Sequence, residues 1–338
     1  MASVLVLILS DFFPRIEPVE GERTLPRLPA LEILLGRARR DAVPQGWRRR
    51  LALRFGAPEF AALAPAAAAA SAWLPAPAAA ATQYWFATPV HYFAGLDSVH
   101  LHPAGLLRLP VAAQTQLIAD FSVVFGPSPW CLQGIGRREL LLSGPTLASS
   151  AEDPVQFLGR DPGAGLPRGP AAATLRRLGV EIEMWLHEHP INRQRLASGE
   201  LPVSALWLWG ALAPASREAT RAGAGALPGS CLYGEDAYTE ALWRLSAGRC
   251  EPLPEHFDTT LHCANGTAVV LYPTLGAEGL DGALQRLEQR WLAPALQALR
   301  ARRLAAIELL AGTERYVLRW LQLARFWRSS PPWSERLA

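Results

Sequence analysis

Lysine is missing from this 338-residue chain, and every one of its 33 basic residues is an arginine. Without a lysine amine there is no Schiff-base nucleophile and no lysine of a phosphate-binding loop, so those enzyme classes drop out. Together with alanine runs such as residues 66–70, the arginine usage reads as base-composition bias before it reads as function. Cysteine is scarce. Cys131, Cys231, Cys250 and Cys263 include no C-x-x-C pair, which speaks against a disulfide framework or a zinc site and fits a reducing compartment. Long apolar runs are also absent: none reaches the roughly 18 residues of a membrane span. The N-terminal MASVLVLILSDFFP has no basic leader and meets Asp11 early, so it reads as a strand rather than a signal peptide. The expectation is a soluble, cytoplasmic protein with no membrane among its partners and no cofactor. A net charge of +3 is small for the length and makes nucleic acid an unexpected partner.

What the chain does contain is apolar material, half of all residues, enough for a sizeable core and for two domains. Residues 3–9 form a continuous Val/Ile/Leu run, as in a strand buried on both faces of a parallel sheet. Asp11 falls at its C-terminal end, where open α/β sheets carry ligands. Residues 28–40 and 47–55 read as helices, and the Ala/Pro-rich stretch 61–81 as a short helix between loops. Residues 84–142 read as a β-β-α-β-β unit, with turns expected at 95–97 and 103–105 and its helix at 111–125. Helices are expected again at 171–187, 234–248 and 280–304, and strands at 259–261, 267–272, 305–310 and 316–327. The fold class that follows is α/β, a mostly parallel sheet flanked by helices and interrupted by a smaller α+β domain. Its expected limits are 1–82 and 188–338 for the core and 83–187 for the insertion.

The densest stretch is WLHEHPINRQRLASGELPVSALWLWGAL, residues 185–212. Alternation along residues 201–210 puts Leu206 and Leu208 on one face and Trp207 and Trp209 on the other. Two indoles on one face are covered in one of two ways: they are core under a helix, or they line a cleft with His189, Asn192 and Arg195. Asn192, Arg193 and Arg195 suit either an anion clamp or a solvated linker. His187 and His189 lack the spacing of a zinc-protease helix, and His100 and His102 alternate on one strand face beside His91 without a visible third ligand. Arginines 37, 39, 40 and 48–50 form a basic cluster of the kind that meets anionic surfaces or simply faces water. Arg315 to Trp333, with Trp320 and Trp327 between them, reads as a partner-binding tail or a last strand over the sheet edge.

The stretch P-V-S-A-L-W-L-W-G at residues 202–210 resembles the Asn-x-Ile-Trp-x-Trp-Gly strand of archaeal-type cofactor-independent phosphoglycerate mutases, of the alkaline phosphatase superfamily. The apolar strand ending in Asp11, followed by L-P-R-L-P-A-L-E-I-L-L, resembles that family's first metal-ligand strand and the helix after it. With H-P-I-N-R-Q-R at 189–195, the chain is also similar to a proteobacterial, RpfE-type regulatory branch. The resemblance implies two divalent metals, usually manganese or zinc, held by Asp and His around a serine that takes the phosphoryl group. Metal coordination is what makes such a hydroxyl nucleophilic. Carried across, Trp47 falls at the nucleophile and Arg48 at its neighbouring Asp. Gly276 and Leu280 stand at the Asp and His of a metal loop, Pro14 or Arg15 at a second Asp, and Ser204 at the Asn of the Trp strand. The expectation is therefore a relative without the chemistry, binding a small anionic ligand or a protein partner in a regulatory role. The candidate binding residues are Asp11, His189, Asn192, Arg195, Trp207 and Trp209, with no catalytic residue and no metal. Two alternatives stay open: an active metal-dependent mutase or phosphatase with relocated ligands, and a nucleic-acid-binding regulator.

Overall fold

An uninterrupted apolar strand is stable only when both its faces and both its edges are covered. In the computed structural model β1 (Ser3–Leu9) meets this condition, with a parallel partner on each side. The structure describes residues 3–10, 26–43, 46–55, 64–74, 82–95, 97–136, 138–211, 230–245, 248–257, 266–273, 279–325 and 332–334. By internal contacts the chain divides into two units, one made of Met1–Ala57 with Ala224–Ala338 and the other of Pro58–Gly223.

The first unit opens with β1, α1 (Pro29–Arg37), β2 (Arg39–Ala42) and α2 (Gly46–Phe55). α1 starts on a proline and has no capping side chain of its own. Its free amides are met from far along the chain: the Glu288 carboxylate accepts from Ala30 N at 2.6 Å and Leu31 N at 3.0 Å.

The second unit follows as α3 (Pro65–Trp73), β3 (Thr82–Ala94), β4 (Val99–Leu106), α4 (Val111–Phe125), β5 (Cys131–Ile135), β6 (Glu139–Pro145), α5 (Ala172–Glu188), α6 (Pro190–Ala197) and β7 (Ala205–Trp209). Its sheet is antiparallel. The long β3 pairs with β6 near its start, with β7 at its middle and with β4 at its end. Leu206 and Leu208 of β7, with Trp85 and Leu142, form a core under Leu117 and Phe121 of α4 and Leu178 and Ile182 of α5. This pairing corrects the expected boundary: residues 188–211 belong to the second unit, because β7 completes its sheet. α3 belongs there too, with Ala66 N donating to Gly210 O at 3.0 Å.

The expected turn at 103–105 is instead part of β4. A Cβ on Gly105 would lie 2.6 Å from His102 O and 2.9 Å from His91 O, so Pro-Ala-Gly makes the register shift opposite Val90 and Tyr92 rather than a chain reversal.

Back in the first unit come β8 (Ser230–Tyr233), α7 (Ala237–Leu245), β9 (Arg249–Glu251), β10 (Thr267–Tyr272), α8 (Gly279–Leu287), a π-helical turn (Glu288–Leu292), α9 (Ala293–Arg300), β11 (Leu304–Ala311), β12 (Glu314–Arg319) and α10 (Trp320–Leu323). The sheet order is β2-β12-β11-β1-β10-β8-β9. β11, β1, β10, β8 and β9 run parallel, and β12 and β2 add antiparallel at one edge. The fold is thus mixed α/β with a mostly parallel sheet flanked by helices. Leu5, Leu7 and Leu9 point toward α1, α8 and α9, packing with Leu34, Trp291 and Leu296. Glu308 alternates with the core residues Ile307 and Leu309 and meets Arg54, which places α2 against the opposite face. The expected strand 316–327 stops at Arg319, where Gln322 Oε1 accepts from Arg319 N at 2.7 Å and starts α10. The expected strand 259–261 lies outside the described residues.

Candidate functional site

Parallel strands emerge on one edge of their sheet, and that edge is where α/β proteins place ligands. Here β1 and β8 flank β10, so the residues following them face the same edge. Tyr233 leads to Gly234 with φ +106°, and a Cβ there would lie 2.6 Å from Leu271 O. Only glycine lets β8 leave so close to β10. Two residues on, Asp236 begins α7: its Oδ1 accepts from Thr239 N at 2.8 Å and from Thr239 Oγ1 at 2.7 Å.

The other side of the site is the first turn of α2. Trp47 is buried and its Nε1 donates to Ser10 O, just past β1, at 3.2 Å. The Arg48 guanidinium lies 4.4 Å from the Trp47 ring centroid and donates to Asp236 Oδ2, from Nη2 at 2.6 Å and from Nε at 3.2 Å. Burial opposes ionisation of Asp236. The charge and hydrogen bonds of Arg48, with those of Thr239, outweigh it and hold the carboxyl below its ordinary value.

These residues do not fit the two divalent cations that the sequence resemblance implies. The described carboxylate at the site is already neutralised by a guanidinium, and the Trp47 indole lies against that guanidinium. Among the described residues no group of three or more His, Cys, Asp or Glu side chains is placed to hold a metal ion. Asp11, Pro14, Arg15 and Gly276 lie outside the described residues.

The other candidates fall in the second unit, and they do not converge on one cleft. His189 caps α6: its Nδ1 accepts from Ile191 N at 3.2 Å, and its Nε2 points to Asp120 Oδ2 at 3.2 Å. Burial lowers its pKa, against a smaller opposing effect of Asp120. Asn192 donates to Leu186 O at 2.8 Å and Val203 O at 2.9 Å, and its Oδ1 accepts from Val203 N at 2.7 Å. Arg195 donates to Leu201 O at 2.7 Å and pairs with Glu200 at 2.9 Å. Asn192 and Arg195 tie the α5–α6 segment to the chain entering β7, and His189 ties it to α4.

Trp207 and Trp209 are on the opposite face of β7 from Leu206 and Leu208. The Trp207 indole stacks on Phe157 and donates to Glu152 O at 2.9 Å; that of Trp209 stacks on Phe86 and donates to Thr88 Oγ1 at 2.8 Å. A Cβ on Gly165 would lie 2.7 Å from Trp207, so the 152–165 segment closes directly over that ring. Each indole is core with its N–H satisfied. Replacing Asn192 by alanine is expected to cost about 2–3 kcal/mol, since it strands the Val203 amide and carbonyl in the interior, whereas Leu186 O keeps the His189 amide. A urea titration measures it, and an unchanged midpoint would remove Asn192 from this framework.

The histidines of the β3–β4 hairpin are likewise engaged. His91 Nδ1 donates to Pro202 O at 2.9 Å, His100 Nε2 is 3.0 Å from Ser98 Oγ, and His102 Nδ1 accepts from Ala104 N at 3.0 Å. The His91 and His102 rings are 5.6 Å apart, and burial lowers both pKa values. Phe93 separates His100 from this pair by contacting both His100 and His102.

Sequence reasoning passed over the Arg48–Asp236 pair. Arg48 was absorbed in a basic cluster, and the partner is 188 residues away. The signal for half of it was present: D-x-x-T at 236–239 is a helix N-cap pattern at the head of an expected helix.

Comparison with known proteins gives limited overlap. No protein-family model matches the chain. A 2,3-bisphosphoglycerate-independent phosphoglycerate mutase of Methanothrix thermoacetophila is 30% identical over 77 residues, 23% of this chain and 20% of that protein's length. Among solved structures, the cofactor-independent phosphoglycerate mutase of Thermoplasma acidophilum is 17% identical with a TM-score of 0.38, over 94% of this chain and 89% of that one. The PH0037 protein of Pyrococcus horikoshii is 11% identical with a TM-score of 0.44, over 94% and 86%. The similarity in sequence thus spans a fifth of the mutase's length.

Proposed function

We propose that this chain is a phosphoglycerate-mutase-like protein that has lost phosphoryl transfer. It acts by binding, to a small anionic ligand or a protein partner, in a regulatory role like that of the RpfE-type branch it resembles. The 77-residue match to a phosphoglycerate mutase supports the relationship. The observation that carries the loss of chemistry is the Arg48–Asp236 pair beside Trp47 at the strand ends. By resemblance, positions 47 and 48 are those of the nucleophilic serine and the Asp next to it. An indole cannot accept a phosphoryl group. A guanidinium roughly 4 Å from a divalent cation would oppose it by about 8 kcal/mol at an effective dielectric of about 20.

The test is turnover. Full-length protein titrated with Mn2+ or Zn2+ is expected to leave 3-phosphoglycerate unchanged over hours, as read by phosphorus NMR. Metal-dependent formation of 2-phosphoglycerate or inorganic phosphate sinks the reading and restores an active enzyme with relocated ligands.

A further inference from the structure

The arginine- and tryptophan-bearing segment near the C-terminus has no part in the site above. Arg300, Arg302 and Arg303 end α9 and its following turn, Arg319 ends β12, and Arg325 follows α10. α10 packs against α9, and the Arg302 guanidinium lies 4.1 Å from the Trp320 ring centroid. Among the described residues none of these five arginines forms an ion pair. On β2, by contrast, Arg39 and Arg40 are matched by Asp41 and Glu314 at 2.9 Å. Among the described residues, positive charge is therefore balanced at one sheet edge and left unbalanced around α10.

The same short helix exposes apolar surface, with Leu321 75% and Trp320 40% accessible. Arg302 has φ +57°, the left-handed region where glycine is usual after a helix. The arginine there carries its charge onto the indole, a contact that glycine would not make.

We propose that this surface adsorbs to an anionic phospholipid bilayer, with Leu321 and Trp320 entering the interfacial layer and the surrounding arginines meeting the headgroups. A polyphosphate chain would use the arginines but gains nothing from a protruding leucine, and one face of Trp320 is already covered by Arg302. A bilayer uses all of these features at once. No membrane was expected as a partner because no segment is long enough to cross one, and no helix of the described residues is. Adsorption needs no crossing. The proposal is independent of whether phosphoryl transfer survives.

Vesicle co-sedimentation of the full chain tests it, comparing phosphatidylcholine alone with a mixture of roughly two parts phosphatidylcholine to one of phosphatidylserine. Binding is expected to the mixed vesicles only, and to fall as salt shortens the screening length. The triple variant Arg302→Gln/Arg303→Gln/Arg319→Gln should bind about a hundredfold more weakly, at about fivefold per arginine. Leu321→Ser keeps every charge and should still weaken binding about tenfold. All four positions are exposed, so the variants should retain the wild-type circular dichroism spectrum. Absence of vesicle binding at low salt overturns the proposal, as does equal binding to phosphatidylcholine alone or a Leu321→Ser variant that binds like wild type. Low-salt binding to DNA without vesicle binding overturns it in favour of nucleic acid.

Discussion

Replacing Glu308 by glutamine is expected to cost about 3–5 kcal/mol of stability, among the largest effects for a single substitution in this protein. Glu308 sits in the middle of β11, 2% accessible, in a strand whose other buried positions are aliphatic. Its carboxylate accepts from Arg315 Nε at 2.7 Å and Nη2 at 3.1 Å, and pairs with Arg54 of α2. Arg315 in turn donates to Asp41 Oδ2 on β2 at 2.9 Å. One buried anion thus joins β11, the antiparallel edge and α2. Glutamine fits the space but leaves two guanidinium groups facing each other with no charge between them.

The same network predicts a pH dependence. Burial opposes ionisation of Glu308, and the two arginines more than offset it, so its folded pKa lies below the ordinary value. The stability it contributes is therefore complete above the ordinary carboxylate value of about 4 and is lost as pH falls through the folded pKa. Urea midpoints measured from neutral to acid pH should drop steeply for the wild type and far less for Glu308→Gln. Parallel curves would show that the carboxylate adds nothing net. A triple replacement of Glu308, Arg54 and Arg315 by aliphatic residues should recover most of the loss, since the desolvation cost of all three charges disappears with them.

Glu308 also shows what the sequence conveys and what it conceals. The apolar runs of β1, β10 and β11 and the helical spacing through α4, α5 and α8–α9 are local signals, and the structure has those elements near the expected positions. β2 is R-R-D-A and carries no apolar signal. It becomes a strand because β12 offers an edge and because Arg40 and Asp41 find Glu314 and Arg315 there. The helix expected through residue 40 gives way at Ala38 for the same reason. The Trp strand was legible as a strand and its two faces were assigned correctly, yet its sheet was not. Pairing with β3, more than a hundred residues upstream, is a long-range choice that alternation alone does not encode. The candidate site divides in the same way. Asp236 announces itself as a helix cap, but nothing near Arg48 in the sequence names its partner.

That partnership yields the sharpest contrast for experiment. Asp236→Ala removes a helix cap worth about 1 kcal/mol and strands the Arg48 guanidinium in a largely buried site, for a total of about 3–5 kcal/mol. Arg48→Met does the reverse and leaves the carboxylate alone. With the guanidinium gone, burial becomes the dominant influence on Asp236 and its folded pKa should rise above the ordinary value. The sign of the pH dependence then inverts. Wild-type Asp236 contributes stability that disappears on acidification, whereas in Arg48→Met the folded state takes up the proton more readily than the unfolded chain and recovers stability as pH falls. Thermal melts of both proteins at neutral pH and below the ordinary carboxylate value of about 4 should therefore move in opposite directions once the contribution shared by all other groups is subtracted through Asp236→Asn. If the two shift together, Arg48 does not hold this carboxylate ionised.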